Sequence, residues 1–353
     1  MKLKKCTLFN FTLENDEPDF IQHVESLENR ESVELVLGTD KLTPLFSLFF
    51  LRDNFHRLNN LKNICLNFGC FLEDISELDL QDMEFILTHV STLENVFITF
   101  PEKLADVQPT AYITLLKSLQ KIEKLDKLKL IVPSLRNENL VFVISDHLGK
   151  LCGLKECNLS LGEWGHIVQV CYLLQSLAKP NNLRILCLSI GRLECKNIGW
   201  TFFCDAFAQL TSLTFLELDL STLEFNKFFL EKLISSLKRL DKLETLFMIL
   251  GGFSKVSDKV LAEFGEQLAS IQNIKKLTLG MKIRPIDRIS REGVEEFKES
   301  LLAHPNWAGK SIDNLNLRIN ILGELPKREK LAQKKAEVEE YDYIKDYRYI
   351  SLR

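Results

Sequence analysis

A repeat of aliphatic residues is the feature that most constrains how this chain can fold. The pattern Leu-x-x-Leu-x-x-Leu-x-Leu-x-Leu occupies residues 210–220, and a close copy occupies residues 240–250. With the third aliphatic residue as an anchor, the pattern recurs about every thirty residues, at Cys6, Val33, Ile64, Val96, Leu128, Cys157, Leu186, Leu216, Leu246, Leu277 and Leu315. Such a fixed period predicts a solenoid of stacked repeats.

The anchors belong to a ladder of four apolar positions per repeat: three before the anchor, the anchor itself, and two and four after it. Only Asn10 and Arg30 break this rule, so 42 of 44 ladder positions are apolar in a chain that is 46% hydrophobic. The alternation from the anchor onward predicts a strand. The segment that follows has helical spacing, as at Leu230, Leu233 and Leu237. Each repeat is therefore predicted to form one strand and one helix.

These repeats resemble the leucine-rich repeat family, and their length is similar to its ribonuclease-inhibitor-like, strand-plus-helix type. The resemblance implies an α/β solenoid, a horseshoe with about eleven parallel strands on the concave face and helices on the convex face. The family usually has Asn or Cys shortly after the strand, whereas position +5 here holds Gly38, Gly69, Pro101, Pro133, Gly162, Gly191, Ser221, Gly251, Lys282 and Asn320. The repeats are thus divergent, and we expect glycine and proline to turn the chain at this position.

The repeats define the predicted domain boundaries. Residues 1–322 form the solenoid, with 1–32 as the N-terminal cap and first repeat, and 323–353 form a helical, tyrosine-rich tail. The longest step, 38 residues, separates Leu277 from Leu315, and we expect a surface loop over 284–289. The tail contains four of the six tyrosines, at Tyr341, Tyr343, Tyr347 and Tyr349. Because disordered segments are poor in aromatic residues, we expect these side chains to dock on a partner or on the solenoid.

Charge and composition exclude several classes of function. The net charge is −4 and the pI is about 6.0, which gives no electrostatic case for binding nucleic acid or an anionic membrane. No apolar run has the length of a transmembrane helix, and we expect no signal peptide. Nine cysteines without paired clusters favour a reducing compartment. We expect the cytoplasm, with a cilium, the cytoskeleton or an organelle interior as alternatives.

Motifs of catalysis are missing from the sequence. It has no phosphate-binding loop, no dinucleotide fingerprint, no HExxH and no nucleophile elbow, and its histidines do not pair with cysteines at metal-ligand spacing. We therefore predict no enzyme activity, no catalytic residues, no cofactor and no metal site. Leucine-rich repeat proteins that activate small GTPases resemble the chain in repeat length, but they typically keep the strand-terminal Asn and an acidic tail.

Binding residues are predicted at positions +1 and +3 after each anchor, which point to the concave face and are called the variable face below. The candidates are Phe97, Ile131, Glu217, Asp219, Phe247 and Ile249, apolar or acidic side chains that favour a protein partner. Alternatively, the apolar ones shield the sheet and the acidic ones are only solvated. We predict a non-catalytic scaffold or a structural subunit of a multi-subunit complex. The alternatives are a small-GTPase regulator or a transient ligand-binding receptor.

Overall fold

The computed structural model describes two units of alternating strands and helices. The described residues are 7–8, 32–36, 52, 61–67, 77–90, 92–99, 109–135, 138–191, 193–194, 197–253, 255–284, 287, 289–307 and 315–321. The first unit comprises residues 1–218 and 240–243, and the second comprises 219–239 and 244–353. The predicted tail lies outside the described residues.

Every predicted ladder segment contains strand residues. The strands are β1 Thr7–Leu8, β2 Ser32–Val36, β3 Asn63–Asn67, β4 Asn95–Thr99, β5 Lys127–Leu135, β6 Glu156–His166, β7 Ile185–Ile190, β8 Leu193–Glu194, β9 Phe215–Leu220, β10 Thr245–Leu250, β11 Lys276–Ile283 and β12 Leu315–Ile321. In the first unit β1 to β7 pair in chain order, all parallel, and the short β8 pairs with the end of β6. In the second unit β10, β11 and β12 pair in the same way.

Helices follow most strands. Those described are α1 Glu77–His89, α2 Pro109–Gln120, α3 Glu138–Leu148, α4 Ile167–Ala178, α5 Asn197–Phe207, α6 Lys227–Lys238, α7 Asp258–Ala269 and α8 Arg291–Ala303. The last three begin at polar caps, where Asn226, Ser257 and Ser290 accept a hydrogen bond from a backbone N–H of the first turn. These bonds satisfy donors that a helix start otherwise leaves without a partner. None of the helices in the described part of the chain has the length and apolar character needed to span a bilayer.

The ladder forms the core, as predicted. Strands β7, β9 and β10 alternate between half-buried and fully buried residues, with the anchor, +2 and +4 side chains inside. The predicted helix faces are buried too, among them Leu233 at 0%, Leu268 at 0% and Phe297 at 0% exposure. The anchors therefore share one register, since Leu128 pairs with Cys157 and Leu246 with Leu277. The fold class predicted from the repeat is confirmed.

Strand ends differ from the prediction that glycine and proline turn the chain at +5. Pro133 and Gly162 lie inside the long strands β5 and β6. Gly251 is needed for space, because a Cβ there would lie 2.2 Å from the carbonyl oxygen of Ser221. The left-handed residue is the next one, Gly252, with φ of 66°. At Gly251, glycine is thus needed because the backbones of two successive repeats pack closely together there.

Within the expected surface loop of the longest step, the described residues are held against the second unit instead. Asp287 is 1% exposed and Ile289 is 0% exposed. The Asp287 carboxylate accepts hydrogen bonds from the backbone N–H of Arg284 at 2.7 Å and from its guanidinium at 3.1 Å. The guanidinium also donates to Glu224 at 2.6 Å. A carboxylate that satisfies both a backbone donor and a cation is firmly held, so the described residues Arg284 and Asp287 are anchored to the second unit.

Candidate protein-binding surfaces

Phe97 and Ile131 lie half-buried on neighbouring strands of the first unit. Phe97 on β4 is opposite Lys129 on β5, whose ammonium nitrogen lies 4.3 Å from the centre of the aromatic ring. This is a cation–π contact, which covers part of the ring that the sequence suggested as a binding anchor. Ile131 is flanked by Thr99 and Ser160 on the adjacent strands. Both residues line the variable face, but neither is strongly exposed.

Glu217 ends a polar row on the same face. Lys129, Asn158 and Cys187 occupy equivalent positions on three paired strands, and the Cys187 thiol interacts with Glu217. Burial, reinforced by the Glu217 carboxylate, raises the pKa of Cys187 to about 12. The thiol is therefore protonated at neutral pH and is not an activated nucleophile. The row is suited to hydrogen bonding.

Asp219, Phe247 and Ile249 belong to the second unit. The Asp219 carboxylate accepts a 2.9 Å hydrogen bond from the backbone N–H of Ser221. This bond holds the backbone at the end of β9, a contact that the sequence did not predict for Asp219. Phe247 and Ile249 lie half-buried on β10, opposite Thr278 and Gly280 of β11. Glu217 belongs to the first unit, and the role of all four residues in binding a partner stays a prediction.

The lack of a side chain at Gly280 exposes one side of Ile249. A Cβ placed on Gly280 would meet Ile249 side-chain carbons at 3.4 Å, which is ordinary van der Waals contact. The glycine thus places no side chain of its own against Ile249 on the variable face. The tail tyrosines Tyr341, Tyr343, Tyr347 and Tyr349 lie outside the described residues, so their predicted docking is a proposal only.

A more exposed apolar surface, which sequence analysis missed, lies on the helices of the first unit. It consists of Phe142 on α3, Tyr172 on α4 and Phe202 on α5, which are 40%, 47% and 50% exposed, and is called the aromatic stripe below. The Phe142 and Tyr172 rings meet edge to face, with centroids 4.7 Å apart. Val168, 43% exposed, flanks the stripe. The helices pack in sequence order, α3 on α4 and α4 on α5.

The sequence contained a signal for this stripe. Phe142, Tyr172 and Phe202 are spaced by thirty residues each, and Tyr112 precedes them by the same interval. An interval close to the repeat period therefore places one aromatic residue on each of three consecutive helices. The pattern of the strand positions alone does not reveal this second periodicity on the helices. Aromatic side chains at this exposure are unusual on a helix surface that contacts only water, and they favour a partner.

Metal or acid–base chemistry has little support in the described residues. They contain no group of three or more His, Cys, Asp or Glu side chains placed to hold a metal ion. The glutamate next to the Cys157 anchor, Glu156, is engaged in an ion pair with Lys127 at 2.9 Å, and this pairing raises the pKa of Lys127. These polar contacts link neighbouring strands, and they do not assemble a reaction centre.

Comparison with one known structure supports the fold, and two others are similar at lower scores. The leucine-rich repeat-containing protein LegL7 from Legionella pneumophila matches with a TM-score of 0.50 at 15% identity, over 88% of this chain and 100% of that chain. A chain of the yeast Rad7–Elc1 complex matches at 0.47 and 16% identity, over 88% and 70%. The tropomodulin C-terminal domain of Caenorhabditis elegans matches at 0.35 and 13% identity, over 46% and 93%. No protein-family model and no curated protein sequence matches the chain.

The chain thus has an α/β fold of parallel strands alternating with helices. Its fold is that of the leucine-rich repeat proteins, and its strand-plus-helix units are of the ribonuclease-inhibitor-like type. At these identities the likeness establishes the fold, and function is argued from the surfaces of this chain.

Proposed function

We propose that the protein is a non-catalytic interaction scaffold, a subunit that holds protein partners within a larger assembly. The observation that supports this most strongly is the aromatic stripe, because three large rings on three consecutive helices stay 40–50% exposed. Aromatic side chains are enriched at protein interfaces, where they supply much of the binding energy. A repeat fold presents such side chains on a continuous surface of packed helices.

The stripe is suited to an apolar segment of a partner. Its rings lie on three helices that pack in order, so that a partner segment crossing the helices would meet one ring per repeat. Fully burying an aromatic side chain contributes roughly 1.5–3 kcal/mol, and about half of that remains available at rings that are 40–50% exposed.

The test is affinity purification of the full-length protein from its native source, followed by mass spectrometry. The double substitution Tyr172→Ser/Phe202→Ser should abolish recovery of the main partners and leave the melting temperature unchanged, since both side chains are exposed. Leu302→Ser is the matched control, because Leu302 is a helix residue 49% exposed outside the stripe. Recovery of the same partners by the double variant would contradict the assignment of the stripe.

The variable face is proposed as a second binding surface, with Phe247 and Ile249 as its anchors in the second unit. Replacing both residues with Lys should weaken partner recovery. The melting temperature should change little, because both side chains are only half-buried on β10. Leu218→Asp tests the ladder separately. It places a charge where Leu218 is 0% exposed and should cost several kcal/mol, about 3–5. Unchanged partner recovery by the variant with Lys at Phe247 and Ile249 would contradict the variable face as a binding surface and leave the aromatic stripe as the proposed site.

A further inference from the structure

A polar cleft of about 550 Å³ lies in the first unit, at the edge where the strands begin. Its wall is formed by the residues that enter consecutive strands. Arg184, just before β7, donates its backbone N–H to the carbonyl of Lys155, just before β6, at 2.8 Å. Thr214, just before β9, donates in turn to the carbonyl of Arg184 at 2.8 Å. The cleft thus spans successive repeats in a fixed register.

Side chains of the connecting loops fix the shape of this cleft. Asn182 donates to the carbonyl of Cys152 at 2.7 Å, and Ser212 donates to the carbonyl of Asn181 at 2.6 Å. Asn181 adopts a left-handed conformation with φ of 51°, which Asn tolerates better than most residues. Each loop is therefore bonded to the loop of the neighbouring repeat. A cleft built this way is formed before any ligand arrives, which reduces the entropic cost of binding.

The charge of the cleft is opposite to that of the chain. Lys155, Arg184 and Lys242 line it, and none of the other described lining residues is acidic or apolar. Lys155 is partly neutralised by an ion pair with Asp126 at 2.7 Å. The Arg184 and Lys242 residues are exposed, and no ion pair is found for either among the described residues. The lining residues thus carry three positive charges and no negative charge, whereas the whole protein has a net charge of −4.

We propose that this cleft binds an anionic peptide segment of a protein partner. Amides, hydroxyls and cations offer hydrogen bonds to carboxylate or phosphate oxygens. A ligand with an aromatic base or an apolar anchor would find no apolar side chain among the described lining residues. Neighbouring strands are about 4.8 Å apart, so the cleft extends about 10 Å across three repeats, enough for about three extended residues. This site goes beyond the proposed function, because it shares no residue with the aromatic stripe or the variable face candidates.

The experiment is a fluorescence anisotropy titration of the full chain with a labelled peptide of four glutamates between Gly-Ser flanks. A phosphoserine version distinguishes phosphate from carboxylate as the preferred anion, and binding of either peptide supports the proposal. The double substitution Arg184→Gln/Lys242→Gln should weaken binding roughly tenfold, since two partly solvated ion pairs are lost. Raising the salt concentration should weaken wild-type binding.

The matched control is Lys117→Gln/Lys124→Gln, which removes two exposed lysines of the same unit. Lys124 precedes its anchor by four residues, the position that Lys242 has in its own repeat, but it does not line the cleft. This control should bind the peptide as wild type does. The stripe variant Tyr172→Ser/Phe202→Ser should also bind normally, so failure of the proposed function and failure of this inference can be told apart.

Three results would overturn the inference. The first is equal binding of a peptide in which glutamine replaces glutamate. The second is wild-type affinity of the Arg184→Gln/Lys242→Gln variant, whatever its melting temperature. A lower melting temperature of that variant would then assign the cations to offsetting the carbonyl ends of the helices that finish at Leu148, Ala178 and Phe207. The third is binding of phosphatidylserine vesicles or of inorganic phosphate alone through the same residues with no binding of either peptide.

Discussion

Replacing Gly252 with Ala tests how consecutive repeats pack at the strand ends. Gly252 has a φ of 66°, a conformation that an L side chain disfavours. A Cβ there would also lie 2.0 Å from the carbonyl oxygen of Leu223, a backbone atom of the previous repeat. The carbonyl of Gly252 accepts a 2.8 Å hydrogen bond from the N–H of Phe225. Relief of the clash must therefore move backbone that is itself hydrogen-bonded.

The expected loss is about 1.5–2.5 kcal/mol, to which strain from the clash is added. The left-handed conformation costs Ala about 1–2 kcal/mol. Distorting the hydrogen bond from Phe225 costs about 1 kcal/mol, because Phe225 is 1% exposed and stacks on Phe229 with ring centroids 4.9 Å apart. The lower entropy of an unfolded chain with Ala returns about 0.5 kcal/mol. Clash with the Leu223 carbonyl adds strain that movement of the loop partly relieves.

The assay is hydrogen–deuterium exchange of the peptide that contains β10, because opening of one repeat is measured there without assuming that the whole chain unfolds at once. A loss of 2 kcal/mol should accelerate exchange roughly thirtyfold. Gly280→Ala is the control in the same unit, where the added methyl meets only Ile249 at 3.4 Å and should leave exchange equal or slower. Equal exchange rates in the two variants would refute the packing argument.

Three further outcomes follow from buried or partly buried polar groups. Asp287→Ala should lower the free energy of unfolding by about 2–3 kcal/mol in denaturant titrations, because the backbone N–H of Arg284 loses its acceptor; an unchanged midpoint would contradict the anchored loop. Burial lowers the pKa of His147 from its ordinary 6.5, so the folded state gains stability above pH 6.5 and loses it as pH falls through the folded value. The acid-side drop in melting temperature should therefore shrink in His147→Gln. Iodoacetamide should alkylate the exposed Cys152 well before Cys187, whose pKa is raised to about 12; peptide mass spectrometry over time measures the order.

The buried half of this structure could be predicted from sequence because burial itself is periodic. A residue such as Leu218 has one environment, fixed by its offset from the anchor, and any polar substitute there is costly. Helix faces follow from the same logic, as Leu233 and Leu268 show. The repeat length and the strand register are consequences of stacking identical units. These features need no knowledge of distant contacts.

Strand ends and the longest step could not be predicted in the same way, since their conformation depends on neighbouring repeats. Gly251 is small because the carbonyl of Ser221 approaches it, a contact between residues thirty positions apart. Asp287 is buried because Arg284 beside it supplies both a backbone donor and a cation. A polar segment rich in charge is typical of a surface loop, and only the paired geometry shows that its carboxylate is inside.

The surface sites were harder to predict, because averages over the whole chain conceal rows of side chains at equivalent positions of successive repeats. The net charge of −4 gave no indication that Lys155, Arg184 and Lys242 line one cleft. Tyr172 and Phe202 look like ordinary helix residues unless consecutive helices, thirty residues apart, are compared. In both cases the informative comparison is between equivalent positions of successive repeats. Averaging along the chain removes that comparison.

The stripe and the cleft belong to the same repeats, and this determines how their effects should combine. The helices with Phe142, Tyr172 and Phe202 are followed directly by the loops that line the cleft. If one partner supplies both an apolar segment and an acidic segment, the second contact is intramolecular, and losing either site weakens the whole complex. Stripe and cleft substitutions would then show coupled effects on the affinity of that partner. If two different partners use the two sites, the binding free energy of each partner changes only when its own site is substituted. A double-mutant cycle on a purified partner distinguishes these arrangements, because coupling requires a single ligand that contacts both surfaces.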